Sequence, residues 1–222
     1  MSNSEQSFYN RYWGRGGARS CDAPVHHVSD GENFLKKFSG YYTGTGKGRA
    51  LLDFGCGEGD LLAQAGTVGG FNRAVGIDVS DHVVDIARKK HPELEFLVSS
   101  GANFPFPENA FDIVQSISVL EHLVDLQGTL GEVARVLKPG GYFICYTTDF
   151  NWLKQTLIAM FCWDKYFDPL SPHIRYLKRG SLKRILESVG LQEVHYSWNC
   201  SYFGIMPQGM HHVSQKAGSP IR

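Results

Sequence analysis

The stretch that decides the fold of this 222-residue chain is Leu51-Leu52-Asp53-Phe54-Gly55-Cys56-Gly57-Glu58-Gly59-Asp60-Leu61-Leu62. Apolar residues lead into three glycines at alternate positions, and an apolar helix start follows. Glycine has no Cβ, so it adopts positive φ and lets a ligand approach the backbone closely. A helix that starts near Asp60 would offer its unpaired N–H groups to that ligand. The stretch therefore predicts a strand, a tight turn and a helix built around a bound molecule.

The composition fits one domain with a sizeable core. Hydrophobic residues make up 42% of the chain and the formal net charge is zero, which argues against a broad nucleic-acid surface. No run of 18 apolar residues is present, so we expect no membrane span. We therefore expect no nucleic-acid partner, while the oligomeric state stays open.

The cysteines and the N-terminus bear on location. The five cysteines are scattered, without a Cys-x-x-Cys pair, and the first residues lack the basic and apolar regions of a signal peptide. This usage is typical of a reduced, cytoplasmic protein without a disulfide framework. We also expect no metal site, because His211 and His212 alternate in a predicted strand and so lie on opposite faces.

Strand and helix patterns alternate five times after residue 50. Strands are predicted at Ala50–Phe54, Ala74–Ile77, Leu94–Val98, Phe111–Ile117 and Tyr142–Thr147. Such alternation requires a parallel sheet with helices on both faces. Between the strands, Ser80 is a good N-cap and His91-Pro92 ends the helix that Ser80 begins. A further helix is expected to end at Lys138-Pro139-Gly140-Gly141.

The C-terminal part departs from this alternation. A helix is predicted at Ser181–Val189, and two strands, about Gln192–Trp198 and Gly209–Lys216, follow without a helix between them. Adjacent strands joined by a loop must be antiparallel. We expect the sheet to close with a hairpin at one edge.

The glycine turn differs from a dinucleotide fingerprint. That fingerprint reads G-x-G-x-x-G, and Asp60 stands where its third glycine belongs. Acids crowd the turn at Asp53, Glu58 and Asp60, so a pyrophosphate would be repelled and a cationic or zwitterionic ligand would not. Asp78, 19 residues after Gly59, can accept both ribose hydroxyls of an adenosine. The two features together predict an adenosine-containing ligand at the carboxyl ends of the first two strands; a plain tight turn and an ordinary helix-start acid are the alternatives.

Four segments, in this order, carry a resemblance to a known family: Leu52-Asp53-Phe54-Gly55-Cys56-Gly57-Glu58-Gly59, Val75-Gly76-Ile77-Asp78-Val79-Ser80, Phe104-Pro105-Phe106-Pro107-Glu108-Asn109-Ala110-Phe111-Asp112, and Val119-Leu120-Glu121-His122-Leu123 with Val136-Leu137-Lys138-Pro139-Gly140-Gly141. Residues 51–149 resemble the core of class I S-adenosylmethionine-dependent methyltransferases of the small-molecule, type 11-like group. The resemblance implies a single α/β domain over residues 1–222. Its Rossmann-like, doubly wound sheet would have seven strands, mostly parallel with a C-terminal antiparallel hairpin, in the order 3-2-1-4-5-7-6.

The resemblance also implies a set of cofactor contacts. The methionine end of S-adenosylmethionine would lie against Asp53, Gly55, Cys56, Gly57 and Gly59. Asp78 would hold the ribose hydroxyls, Val79 the adenine, and Ile117 with Ser118 the far side of the cofactor. The loop after strand three would contribute Ser100, Gly101 and Ala102, where the family commonly has an aspartate. The product would be S-adenosylhomocysteine.

The implied reaction is in-line transfer of a methyl group to an oxygen, nitrogen or carbon atom of a small-molecule acceptor. Because the sulfonium methyl is already activated, positioning and exclusion of water supply much of the acceleration. A general base is needed only for an acceptor that must lose a proton. His122 is the candidate base, against the alternative of an architectural histidine, and Glu121 is interpreted as a structural acid.

The candidate acceptor-side residues come from two helical additions to the sheet. Residues 1–45 would form an N-terminal cap carrying Tyr9 and Tyr12, with a first helix, a loose linker and a second helix near Asn33–Phe38. Residues 150–180 are too aromatic for a linker and would form a helical insertion over the acceptor pocket, with ordinary packing or a dimer surface as the alternative. The pocket residues proposed from this insertion are Trp152, His173, Arg175 and Tyr176.

Two other functions were weighed. A non-catalytic S-adenosylmethionine-binding regulator would keep the same pocket and is the main alternative. A nicotinamide-dependent oxidoreductase is disfavoured by Asp60 and by the C-terminal hairpin. Neither the acceptor nor the atom methylated is readable from residues 150–222.

Overall fold

The computed structural model describes residues 3–14, 28–43, 48–150, 152–161, 163, 167, 173–201 and 206–218. The predicted linker after the first helix and most of the insertion at 162–172 lie outside the described residues. The division into one domain with two helical additions therefore stays a prediction.

A seven-stranded sheet organises the chain. Its strands are β1 Ala50–Phe54, β2 Arg73–Asp78, β3 Glu95–Val98, β4 Phe111–Ile117, β5 Leu137–Thr148, β6 Leu191–Ser201 and β7 Met206–Lys216. The strand order is 3-2-1-4-5-7-6. Strands β1 to β5 pair in parallel, and β7 pairs antiparallel with both β5 and β6. The predicted fold class, strand order and edge hairpin are confirmed.

Seven α-helices are assigned in the described part of the chain: α1 Asn3–Gly14, α2 Val28–Tyr42, α3 Asp60–Gly69, α4 Asp81–Lys90, α5 Leu126–Val136, α6 Trp152–Phe161 and α7 Arg179–Ser188. A short 3-10 helix, Leu120–His122, follows β4. The predicted N-cap is confirmed, since the Ser80 side chain accepts a hydrogen bond from the backbone N–H of Val83. In the described residues no helix has the length and apolar character needed to cross a membrane.

Several boundaries differ from the sequence-based ones by one to three residues, and two elements differ by more. Helix α2 starts at Val28, five residues before the predicted start, and continues to Tyr42. It is held by burial of Phe34, Phe38 and Tyr42 on the sheet, which overrides the weak helix propensity of its glycines. Strand β5 begins at Leu137, five residues earlier than predicted, because Leu137 pairs with Phe111 before a register shift.

The core has two layers, one on each face of the sheet. On one face, α5 and α7 bury residues such as Leu130 and Leu186. On the other face, α2, α3 and α4 bury Phe38, Leu62 and Val84. Because helices cover both faces, a ligand reaches this sheet only at its edges and ends, and parallel α/β sheets bind ligands at the carboxyl ends of their strands.

Leu130 tests this layer arrangement, because its side chain in α5 is fully buried. We expect Leu130→Ala to lower the free energy of unfolding by about 2–5 kcal/mol, as buried leucine truncations do. Gln127→Ala, at an exposed position of the same helix, is the matched control and should change it by less than about 0.5 kcal/mol. Chemical denaturation measures both, and equal effects would contradict the burial of Leu130.

Candidate active site

The glycine turn after β1 has the predicted left-handed backbone. Gly55, Gly57 and Gly59 have φ of +76°, +53° and +85°. A side chain is excluded at Gly55 for two reasons. The positive φ disfavours other residues, and a Cβ there would lie 2.2 Å from Cγ2 of Val119. The backbone N–H groups of Gly55 and Cys56 donate to the carbonyl oxygen of Ile77 at 2.8 and 3.1 Å. The turn is therefore fixed to the end of β2.

Asp78 ties the same two strands together through its side chain. One carboxylate oxygen accepts from the backbone N–H of Gly57 at 3.2 Å, and the other accepts from that of Ser80 at 3.0 Å. Burial raises the pKa of Asp78, and the backbone hydrogen bonds from Ser80 and Gly57 act in the opposite direction. The predicted ribose acid thus faces the glycine turn, with its orientation fixed by backbone donors.

Asp53, the acid that precedes the turn, lies deeper than Asp78. Its side chain is buried, and burial, with a further contribution from the charge of Asp78, raises its pKa to about 7. A cation brought to the turn would favour its ionised form. The turn therefore has two closely placed buried carboxyl groups, which suits a positively charged ligand and opposes a pyrophosphate.

The loop after β3 and the end of β4 complete the floor of this region. Ser100 is buried, and its hydroxyl accepts from the backbone N–H of Ala102 at 3.4 Å. Gly101 lies against Thr129, whose Oγ1 would be 2.6 Å from an added Cβ. Ile117 ends β4, and Ser118 adopts a φ of +55°. Such a conformation is uncommon outside glycine and clusters at functional sites.

Helix α1 lies across the carboxyl ends of three strands. The Ser80 hydroxyl donates to Oδ1 of Asn10 at 2.7 Å, and the Trp13 ring lies 3.4 Å from where a Cβ of Gly57 would stand. Tyr9 packs edge-on against the His122 ring, with centroids 6.3 Å apart. Ser80, Gly57 and His122 come after β2, β1 and β4, respectively. Helix α1 therefore covers the glycine turn and the strand ends beside it.

The predicted residues of α1 are thus partly placed at the site. Tyr9 reaches His122, whereas the ring contacts of Tyr12 are with Tyr9 and Trp13 on the same helix. Asn10 and Trp13 were missed as site residues. The site position of Trp13 could have been predicted from the sequence, because Trp13 follows Tyr9 by four positions and therefore shares its helix face.

The two predicted histidines of the acceptor side lie together. The rings of His122 and His173 are tilted by 37° with centroids 4.8 Å apart. Glu121, interpreted from sequence as a structural acid, is buried beside them and accepts a hydrogen bond from the Thr147 hydroxyl at 2.8 Å. The sequence placed these histidines near the acceptor separately and did not predict that they form a pair.

The remaining acceptor-side residues have structural contacts. Arg175 donates to the backbone carbonyls of Leu123, at 2.8 Å, and Val124, which ties the segment before α7 to the residues that follow the 3-10 helix. Tyr176 packs between the rings of Phe150 and Phe167, with centroids at 4.7 and 4.9 Å.

Trp152 is 74% exposed at the start of α6. The pocket roles of Arg175, Tyr176 and Trp152 stay predictions. The last pair, His211 and His212, lies on opposite faces of β7: His211 packs against Phe38, and His212 against Tyr196.

Comparison with known proteins agrees with this geometry. Residues 52–145 match the family described as a methyltransferase domain. A probable S-adenosylmethionine-dependent methyltransferase from Mycolicibacterium smegmatis is 32% identical over 152 residues, which are 65% of this chain and 52% of that protein. A demethylmenaquinone methyltransferase from Symbiobacterium thermophilum is 32% identical over 130 residues, 55% of this chain and 52% of that protein. The chain thus spans about half the length of these curated relatives.

The fold has close structural neighbours as well. A solved structure from Thermotoga maritima, titled a possible histamine N-methyltransferase, superposes with a TM-score of 0.69 at 16% identity, covering 95% of this chain and 99% of that one. Residues 52–145 are thus similar to a methyltransferase domain, and the fold of the chain is shared with this solved structure.

The residues present fit the cofactor of this family. Two buried carboxyl groups beside left-handed glycines suit the cationic methionine end of S-adenosylmethionine, and Asp78 faces the turn as a ribose acid must. Gly59 is required by packing as well, because a Cβ there would lie 2.6 Å from the Phe96 ring.

Asp53 gives this site a pH signature. Its pKa is raised from 3.8 to about 7 in the folded protein, so its stabilising contribution is present below about pH 4 and is lost as the pH rises through about 7. Relative to the wild type, Asp53→Asn should therefore gain about 3 kcal/mol in free energy of unfolding between pH 4 and pH 7. Denaturation of the ligand-free protein at three pH values measures the difference.

The control for this experiment is Asp81→Asn, at an exposed position of α4. It should follow the wild type at every pH. A constant gap between Asp53→Asn and the wild type would contradict the buried environment assigned to Asp53.

Proposed function

We propose that this chain is an enzyme (EC 2.1.1.-) that transfers a methyl group from S-adenosylmethionine to a small-molecule acceptor. The observation that carries the proposal is the link from the Asp78 carboxylate to the backbone N–H of Gly57, which holds a ribose acid against a left-handed glycine turn. When bound, S-adenosylmethionine supplies an activated methyl group for in-line displacement, and S-adenosylhomocysteine remains as product.

The chain's own residues would hold the cofactor in two parts. Asp78 accepts the ribose hydroxyls, and Asp53 with the glycine turn receives the methionine end. Val79 and the Ser100–Ala102 loop flank the adenine, and Ile117 with Ser118 borders the cofactor from β4. Helix α1 excludes water from above through Trp13 over Gly57, which keeps the transferred group from hydrolysis.

The acceptor would enter between His122 and the aromatic side chains that follow β5. Phe150, Phe167 and Tyr176 pack together, and the backbone N–H of Phe150 donates to the carbonyl of Leu177 at 3.0 Å. An apolar wall of this kind suits a ring or a hydrocarbon portion of the acceptor. The relative named as a demethylmenaquinone methyltransferase supports an acceptor of that character.

We assign His122 as the proton acceptor of the reaction when no metal ion is bound beside it. Its imidazole follows β4 on the side of α1 and His173, and a histidine suits proton removal near neutral pH. The role applies to a hydroxyl or ammonium acceptor, which must lose a proton before or during methyl transfer.

Asp78→Ala tests the ribose contact. Loss of hydrogen bonds to a charged acceptor should weaken S-adenosylmethionine binding by about 1–3 kcal/mol, as measured by titration calorimetry. The exposed Asp81→Ala on α4 is the control and should bind as the wild type does. Unchanged affinity in Asp78→Ala would count against the ribose role.

Methyl transfer itself is tested with radiolabelled S-adenosylmethionine and a metabolite extract. We expect label to move into small-molecule products with the wild type and to fall with Asp78→Ala at limiting cofactor. Binding of S-adenosylmethionine without any transfer would favour the regulatory alternative. Binding of NAD in its place would refute both.

A further inference from the structure

Two imidazoles and a carboxylate converge on the acceptor side of the proposed cofactor site. One donor atom each from Glu121, His122 and His173 lie within 4.8 Å of one another. Glu121 and His122 come from the 3-10 helix after β4, whereas His173 comes from the segment that precedes α7. The cluster therefore joins two parts of the chain that are 51 residues apart.

Backbone hydrogen bonds hold these two parts in place. The N–H groups of Ile174 and Arg175 both donate to the carbonyl oxygen of Glu121 at 3.1 Å. The Arg175 guanidinium adds its bonds to Leu123 and Val124. His173 is thus positioned beside His122 by main-chain bonds directly adjacent to it, and does not depend on ring packing alone.

The orientation of the Glu121 carboxylate is fixed by a side chain of β5. The Thr147 hydroxyl, in β5, donates to Oε2 of Glu121, and the whole residue is buried. Burial raises the pKa of Glu121, and the charge of His122 acts against this. A carboxylate that binds a metal ion is commonly held in orientation by a hydrogen bond from a neighbouring group, as Thr147 holds Glu121.

We propose that Glu121, His122 and His173 bind one divalent transition-metal ion. Two imidazoles with one carboxylate form a donor set typical of non-haem Fe²⁺ and of catalytic Zn²⁺ sites. Mg²⁺ and Ca²⁺ prefer oxygen ligands, so the nitrogen donors select against them. With ligand bonds of about 2.0–2.2 Å, the donor atoms would approach one another by up to about 1.5 Å on binding the ion.

The site bears on the acceptor, and this part rests on the proposed function. Three protein ligands leave coordination positions for a substrate oxygen, and a metal ion lowers the pKa of a bound hydroxyl. The chemical class implied is an acceptor with an ionisable hydroxyl group. That hydroxyl gives its proton to water, and its oxygen bonds to the methyl carbon as the carbon–sulfur bond breaks and its electron pair stays on sulfur. His122 then acts as a ligand, and the ion replaces it as the group that favours deprotonation.

The test uses tag-free, chelator-treated full-length protein without S-adenosylmethionine. Titration with Co²⁺, followed by its visible absorption, and calorimetry with Zn²⁺ and Mg²⁺ should show one ion per chain for Co²⁺ and Zn²⁺ and much weaker binding of Mg²⁺. His173→Ala should weaken binding of both transition metals by at least about 10–100-fold, since even second-shell changes have effects of that size. His173 is outside the sheet, so this variant keeps the core.

The control is His82→Ala, which removes an exposed imidazole from α4 and should leave the affinity unchanged. Glu121→Gln is the second variant, and it should also weaken Co²⁺ binding and alter the absorption spectrum. Circular dichroism and S-adenosylmethionine affinity establish that each variant is folded.

The outcomes separate the two proposals. Failure of the wild type to bind Co²⁺ or Zn²⁺ at one ion per chain, or equal affinities in the wild type and His173→Ala, would overturn the metal site. S-adenosylmethionine binding measured on the same metal-free samples reports on the proposed function independently. Methyl transfer that is unaffected by chelator and by His173→Ala, but is lost in His122→Gln, would assign His122 as a base and refute the metal role.

Discussion

The carboxylate of Asp78 is the contact on which the site depends. It accepts from Gly57 in the turn after β1 and from Ser80 at the start of α4, so one side chain fixes three elements. Side-chain acceptors of this kind satisfy backbone N–H groups that would otherwise be unpaired at a strand end or helix start. The same carboxylate that shapes the glycine turn is the one that we propose receives the ribose. Structure and binding therefore use the same group, and its burial makes both sensitive to changes of charge.

A second link connects the C-terminal half of the chain to this centre. The carbonyl of Glu121 accepts from Ile174 and Arg175, and this brings the end of the insertion back to the end of β4. Without it, His173 would belong to a peripheral segment. With it, the acceptor side is assembled from residues far apart in sequence, while the cofactor side is assembled mainly from residues 53–118. The family match, residues 52–145, includes most of the proposed cofactor residues and does not reach His173.

Sequence reasoning predicted the elements that local patterns determine. The succession of strands and helices, the Ser80 cap and the left-handed glycines follow from hydrophobic alternation, capping chemistry and the absence of a Cβ, whereas the order of the strands in the sheet was predicted from the family resemblance. It placed β5 five residues late, because pairing of Leu137 with Phe111 is a tertiary effect across a register shift. The length of α2 was underestimated for a similar reason, since burial of Phe34 and Tyr42 sustains a helix that its glycines disfavour.

In the candidate site, too, only the contacts that local sequence patterns determine could be predicted. Asp78 and the glycine turn carry a local signature, so their proximity could be expected. The pairing of His122 with His173, and the contact of Trp13 with Gly57, depend on how distant segments dock. No spacing rule encodes that docking, and Arg175 illustrates the limit: its hydrogen bonds to the carbonyls of Leu123 and Val124 could not be predicted from the sequence.

Helix α1 has one more consequence, which concerns timing. It rests on the strand ends through polar and aromatic contacts such as Asn10 with Ser80 and Tyr9 with His122, whereas the sheet beneath it is closed by two hydrophobic layers. An element attached mainly at its surface opens more readily than the core it covers. Under the proposed function, exchange of spent for fresh cofactor would require this helix to lift, and Asn3–Gly14 would then help to set the rate of turnover.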